Sequence, residues 1–216
     1  IASVYNPFSE LTGWQKEGCP LHNDARVYAL PEPGRSYCLG VDVAEGVPNG
    51  DDSAIVAVDK TTGRVVCVLA GEFEPSQDLP LHVSDVAKYY NNATALIERN
   101  NHGHATIGAL KGRVDLVAGS DDRPGYLTTT SSKAELYRNV QRFLLDAQKQ
   151  GIRPLLDLRL KEQLASIERL TLKAPKKGSR TKVDDEATAY VLAQKARQGS
   201  TVQQARNAML SMFGGG

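Results

Sequence analysis

Tyr37-Cys38-Leu39-Gly40-Val41-Asp42-Val43-Ala44-Glu45-Gly46, followed by Gly50-Asp51-Asp52-Ser53-Ala54-Ile55-Val56-Ala57-Val58-Asp59, decides how this chain is read. A short apolar run bounded by turn residues is the pattern of a buried strand. The first run stops on the carboxylate of Asp42, turns through Gly, Pro and Asn, and is answered by a second apolar run. Burying an unpaired charge is costly, so a carboxylate at the end of a buried strand needs a partner. A divalent cation is one such partner. Two further acidic positions, Glu98 and the pair Asp184-Asp185, stand ready to complete its shell.

Working outward, residues 64–73 give a third strand, joined to the second by the turn Thr61-Thr62-Gly63, so the chain opens as an antiparallel meander. Residues 79–91 place Leu81, Val83, Val86, Ala87 and Tyr90 at helical spacing. Ala93 to Ile97 reads as a short strand ending at Glu98, a helix covers 103–112, and Tyr126-Leu127 suits another short strand. A long helix over 133–149 carries Leu136, Val140, Phe143, Leu144 and Ala147 on one face, with Ser131 or Ser132 as its cap. Gly151 and Pro154 stop it. A short helix over 157–168, a strand over 169–174, a helix over 185–197 and a last helix over 201–212 follow. This order predicts an α/β fold of ribonuclease-H-like layout: a mixed central sheet, three antiparallel strands then parallel strands, with helices on both faces. Residues 1–36, with Pro7, Pro20, Pro31 and Pro33, read as an N-terminal linker or entry segment. Residues 37–200 read as the domain, and 201–216 as a C-terminal helix and flexible tail.

At 216 residues the chain is long enough for one domain with a sizeable core, and 41% apolar with 24% charged residues is ordinary for a globular protein. A formal net charge of +1 gives no global basic signature, so any affinity for nucleic acid must come from a local patch. Cys19, Cys38 and Cys67 form no CxxC pair, and two of them sit in strand-like runs, which points to a reducing compartment without a disulfide framework. His22, His82, His102 and His104 do not pair with the cysteines at zinc-ligand spacing. No apolar run approaches the ~18–20 residues of a membrane span. The start at Ile1 has no secretory pattern and suggests a piece of a longer chain.

In a sheet where the first and fourth strands are parallel neighbours, Asp42 and Glu98 emerge at the same carboxyl edge. Asp184 and Asp185 begin a helix, whose N-terminal dipole favours negative charge. Such a helix laid across the edge brings a third carboxylate to the pair. Converging carboxylates repel, and a hard divalent cation removes that repulsion. Oxygen-only ligands suit magnesium or manganese. Asp185 is the favoured ligand of its pair, while Asp184 also fits a plain helix cap. Asp51 lies in a loop that folds back toward Asp42 and is a further candidate ligand or supporting group. Glu98 could instead pair with Arg99, and Asp121-Asp122 and Glu72/Glu74 read as solvated loop charges. His102 and His104 follow Glu98 closely enough to be weighed as proton shuttles. Lys173, Lys176, Lys177, Arg180 and Lys182 form a basic loop just ahead of Asp184. Beside a metal site, such a loop suits a phosphate backbone.

With these residues in place, the chain resembles the nuclease domain of the large terminase subunit of tailed double-stranded DNA phages, over roughly residues 37–197. Four stretches carry the resemblance. They are Gly40-Val41-Asp42-Val43-Ala44-Glu45-Gly46 with Gly50-Asp51-Asp52-Ser53-Ala54-Ile55; Ile97-Glu98-Arg99-Asn100-Asn101-His102-Gly103; Thr130-Ser131-Ser132-Lys133-Ala134-Glu135-Leu136 leading into Leu160-Lys161-Glu162-Gln163-Leu164; and Val183-Asp184-Asp185-Glu186-Ala187-Thr188-Ala189-Tyr190. Val183 stands where the family commonly has His, and Thr188 where a later Asp is common. The resemblance implies metal-dependent endonuclease activity on concatemeric viral double-stranded DNA during packaging. Two magnesium or manganese ions about 4 Å apart would activate a water and stabilise the leaving oxygen. Asp42 would bridge both ions, with Glu98 and Asp185 each holding one side. It also implies an ATPase domain in the same full-length chain; no G-x-x-x-x-G-K-[ST] run is present here, so this stretch is not the packaging motor by itself. A small terminase subunit, a portal protein and action in the host cytoplasm belong to the same expectation.

Three other readings compete. A Holliday-junction resolvase or transposase core shares the layout, but the 130–183 segment argues against it. An actin-like or sugar-kinase phosphotransferase also begins with a Gly-x-Asp strand and a meander, yet lacks here its second phosphate loop and Gly-rich adenosine motif. An inactive nucleic-acid-binding scaffold is the third.

Overall fold

The computed structural model of the chain describes residues 21–167, 184–199, 201 and 204. Its strands are β1 (Arg26–Val27), β2 (Tyr37–Asp42), β3 (Ser53–Asp59), β4 (Val65–Gly71) and β5 (Thr94–Ile97), in one sheet of order β1-β4-β3-β2-β5. β2, β3 and β4 form the antiparallel meander, and β5 runs parallel to β2 with Val41 opposite Ile97. This is the mixed ribonuclease-H-like sheet read from the sequence. Arg26–Val27 adds an edge strand against β4 that the sequence does not announce, because two residues are too few to display alternation.

Alternation along the strands sorts side chains onto two faces. Leu39, Val41, Ile55, Ala57, Leu69, Ala95 and Ile97 enter one core, which α1 (Asp78–Tyr89) and α2 (Gly103–Leu110) close. Cys38, Ala54, Val56, Val58, Val68 and Leu96 enter the other, closed by α3 (Thr130–Lys149), α4 (Leu158–Ser166) and α5 (Asp185–Ala196). Asp42 and Glu98 continue the second set by period two, so both belong to the α5 face.

α5 is buried along almost its whole length. It lies directly on β2: a Cβ at Gly40 would fall on the backbone of Ala189 and Ala193. Only glycine permits this approach. The Cys38 thiol donates to the Ala193 carbonyl at 3.5 Å along the same seam. Helix α3 starts earlier than its apolar stripe suggests. Thr129, not Ser131 or Ser132, is the cap: its hydroxyl accepts from the Ser132 N–H while the Ser132 hydroxyl accepts from the Thr129 N–H.

Cys38 is a buried free thiol, and Cys67 is buried. Among the described residues no helix is long and apolar enough to cross a membrane. The expected strand over 169–174, the basic loop with Lys173, Lys176, Lys177, Arg180 and Lys182, Cys19, and most of the expected helix over 201–212 lie outside the described residues.

Candidate metal centre

Parallel pairing of β2 and β5 sets the first two carboxyls. The Glu98 N–H donates to the Val41 carbonyl at 2.8 Å, which continues the ladder one step past β5. Asp42 and Glu98 are therefore neighbours at the carboxyl edge of the sheet, both partly buried and within hydrogen-bonding reach of each other. Burial, then the hydrogen bond with Glu98 and the charges of Glu98 and Asp185, hold the Asp42 carboxyl well above the usual carboxylate range; Lys133 pulls it the other way. Gly103 supports this edge from behind, since a Cβ there would collide with the Glu98 carbonyl.

Helix α5 brings the third carboxyl. Asp185, in its first turn, is only 8% exposed. Burial, followed by the charges of Asp184, Asp51 and Asp52, pushes its carboxyl up to about 7. The Asp52 N–H donates to it at 3.2 Å. Asp184 does not cap the helix by its side chain, as one expectation had it. Its carboxylate instead takes the Lys133 ammonium at 3.1 Å, and its backbone carbonyl accepts the Thr188 N–H. The cap is lost because the lysine offers a full charge, which a carboxylate prefers to a neutral N–H.

The loop after Asp42 folds back as expected. The Ala44 N–H donates to the Ser53 hydroxyl at 3.0 Å, the Asn49 N–H to Glu72 at 2.8 Å, and the Asp52 N–H to Asp185. Glu72 is thus a loop anchor rather than a free charge. Asp51 is exposed, and its charge reaches Asp185.

Other expectations change. Arg99 is buried and pairs with Asp121, not with Glu98, because alternation turns it to the opposite side of the strand end. Asp121 is exposed, as expected, but it is paired, and Arg99 holds its carboxyl below the usual range. His102 faces Glu45 at 3.6 Å, and His104 is exposed on α2.

Sequence reasoning missed three contributors. Lys133, in the first turn of α3, is the cation beside Asp184 and Asp42. Asn100 clasps the chain ahead of α3: its amide donates to the Thr128 carbonyl at 2.8 Å and accepts the Thr128 N–H at 3.1 Å. That clasp fixes where α3, and with it Lys133, begins, and the Glu98-x-Asn100 spacing was its only signal. Arg159 reaches Asp52 at 3.5 Å and the buried Glu186 at 3.2 Å.

Among the described residues no three His, Cys, Asp or Glu side chains are already gathered as a coordination set. What is gathered is an adjacent pair, Asp42 and Glu98, with Asp185 close enough for its charge to act on Asp42. The donors are all carboxylate oxygens in a partly desolvated edge, and their ionised forms repel. A hard divalent cation is the group that this chemistry fits, and soft or nitrogen-preferring metals are less suited.

No family model matches the chain, and no curated protein sequence matches it. Solved structures do. The large terminase nuclease of thermophilic phage G20c with bound magnesium is 20% identical, with a TM-score of 0.62 over 81% of this chain and 88% of that one. Its form with bound cobalt gives the same values. The large terminase nuclease domain of Thermus phage P74-26 is also 20% identical, with a TM-score of 0.58 over 81% of this chain and 87% of that one. The chain therefore has the fold of the phage large terminase nucleases.

Proposed function

We propose that this chain is a divalent-metal-dependent endonuclease, the nuclease domain of a tailed-phage large terminase, which cuts concatemeric double-stranded viral DNA during packaging. One observation carries the reading: Asp42 and Glu98 emerge side by side at the carboxyl edge of parallel strands, under a helix that brings Asp185 to them. The likeness in fold to nucleases with bound magnesium and cobalt supports it.

Asp42, Glu98 and Asp185 would hold two magnesium or manganese ions, with Asp184 and Asp51 as neighbouring carboxylates, and the ions would supply an activated water and stabilise the leaving oxygen. The chain's own residues prepare that edge. Burial and the neighbouring acidic groups hold the Asp42 carboxyl toward its protonated form, so a bound cation would compete with that proton. Lys133 orients Asp184 and offsets part of the negative charge that the DNA backbone must approach. The Asp52 N–H orients Asp185. No side chain here needs to act as a covalent nucleophile. Lys173, Lys176, Lys177, Arg180 and Lys182, which precede Asp184 in the chain, would hold the phosphate backbone beside the carboxylates. An ATPase domain in the same full-length chain, a small terminase subunit and a portal protein would be its partners in the host cytoplasm.

Plasmid cleavage tests the reading. Purified protein should nick and linearise supercoiled DNA with manganese or magnesium, and Asp42→Asn should not. Activity retained by folded Asp42→Asn would remove the mechanism. Preferential cleavage of four-way junctions over plain duplex would move the chain to the resolvases.

A further inference from the structure

Three carboxylates in a row, Asp184, Asp185 and Glu186, open α5, and two more, Asp51 and Asp52, sit in the loop that folds onto it. Without a cation between them, loop and helix repel. Among the described residues, the Arg159 guanidinium spans the two. Arg159 places Nε 3.2 Å from Glu186 Oε1 and a terminal nitrogen 3.5 Å from Asp52 Oδ2. Glu186 follows Asp185 in the helix, and the Asp52 N–H donates to Asp185 at 3.2 Å. Both neighbours of Asp185, one along the chain and one across the loop, are therefore on the same fork.

The base of that fork is anchored. Arg159 is in the first turn of α4, which Asp157 caps by accepting the Leu160 N–H at 2.8 Å. Asp157 in turn takes Arg26 Nε at 2.7 Å and the Tyr28 hydroxyl at 2.6 Å, and Arg26 pairs with the other Glu186 oxygen at 2.8 Å. The Glu186 contacts are ion pairs rather than aligned hydrogen bonds. Edge strand, α4 and α5 thus meet on charged groups, and Arg159 is the member that extends to the loop.

We propose that Arg159 is a positioning residue for Asp185, setting the carboxylate's place by holding Asp52 and Glu186 together. This rests on the reading of Asp185 as a metal ligand. A lysine keeps the charge but not the planar fork, so the two ends cannot be held by one rigid group.

The test is manganese binding without DNA, followed by the loss of the free-ion spin-resonance signal, in wild type, Arg159→Gln and Arg159→Lys, with melting in EDTA as the fold control. Supporting groups of this kind are worth roughly 10- to 100-fold in metal affinity. We expect Arg159→Gln to weaken manganese binding by about 10-fold, Arg159→Lys to recover part of it, and melting to change little, because Glu186 keeps Arg26. Cleavage should be rescued in Arg159→Gln by raising the metal concentration. If Arg159→Gln does not fold, Arg159→Lys decides, and manganese affinity equal to wild type overturns the proposal. So does a variant that binds manganese normally but DNA weakly, which would make Arg159 a phosphate contact. Failure of wild type to bind manganese would instead overturn the reading of Asp185 and take this proposal with it.

Discussion

Glu98 stands beside Asp42 because its backbone N–H closes on the carbonyl of Val41 at 2.8 Å, one step beyond the last paired residues of β2 and β5. Burial, then the proximity and charge of Glu98 and the charge of Asp185, hold the Asp42 carboxyl well above the usual carboxylate range. The edge is built in a state that costs free energy to ionise and that a cation relieves.

Asp42→Asn should therefore abolish cleavage and leave the fold intact. Removing one ionisable partner from a repelling pair should leave melting in EDTA unchanged or raised at alkaline pH. Circular dichroism and melting, set against plasmid cleavage, separate the two effects. A variant that unfolds would make Asp42 a structural residue.

Gly40→Ala should loosen the seam between β2 and α5. Its Cβ meets backbone, which cannot rotate away, so the substitution should cost about 1–3 kcal/mol as overpacking does. Urea denaturation measures this directly. Manganese binding should weaken in parallel, because α5 carries Asp185.

Asp185 gives a pH dependence with a definite sign. Its carboxyl is raised from 3.8 to about 7, so the folded protein binds a proton that the unfolded chain has released. That stabilising contribution is full below the unfolded value and is lost as pH rises through about 7. In EDTA, the stability of Asp185→Asn should gain on wild type between pH 5 and pH 8, by at most about 1.4 kcal/mol per unit. Manganese affinity of wild type should rise over the same interval, since cation and proton compete. Parallel stability curves for the two proteins would contradict the assignment.

Chelation should stop cleavage, and magnesium or manganese should restore it. Calcium should bind and support little turnover, because its longer bonds and variable coordination misplace the water. Cleavage that survives EDTA would indicate a metal-free nuclease.

The basic loop yields a prediction of its own. Neutralising Lys176, Lys177 and Arg180 together should weaken duplex binding without changing metal affinity. Each lost phosphate contact should make the log–log salt dependence shallower by about 0.9. Unrelated sequences should be affected alike, since phosphate contacts position the duplex without reading bases. Binding measured in calcium at several salt concentrations decides it, and an unchanged slope would move the DNA path elsewhere.

The mixed sheet was legible because apolar runs and tight turns are local signals, and Asp42 and Glu98 were legible as the charges that end such runs. Asp185 was favoured over Asp184, but the Lys133 contact that takes the Asp184 side chain was not legible, because it joins residues 51 positions apart. Lys133 was one lysine among many until Asn100 placed the start of α3. Arg26, Asp157, Arg159 and Glu186 were silent for another reason: the Arg26–Asp157 hydrogen bond spans 131 residues, and an ion pair over that separation leaves no periodicity. Thr129 was displaced as a cap by serines that fit the same pattern.

The most direct measurement is anomalous diffraction from crystals grown with manganese. The account predicts manganese held by carboxylate oxygens of Asp42, Glu98 and Asp185. Manganese bound elsewhere, with none of these three carboxylates as a ligand, would contradict it.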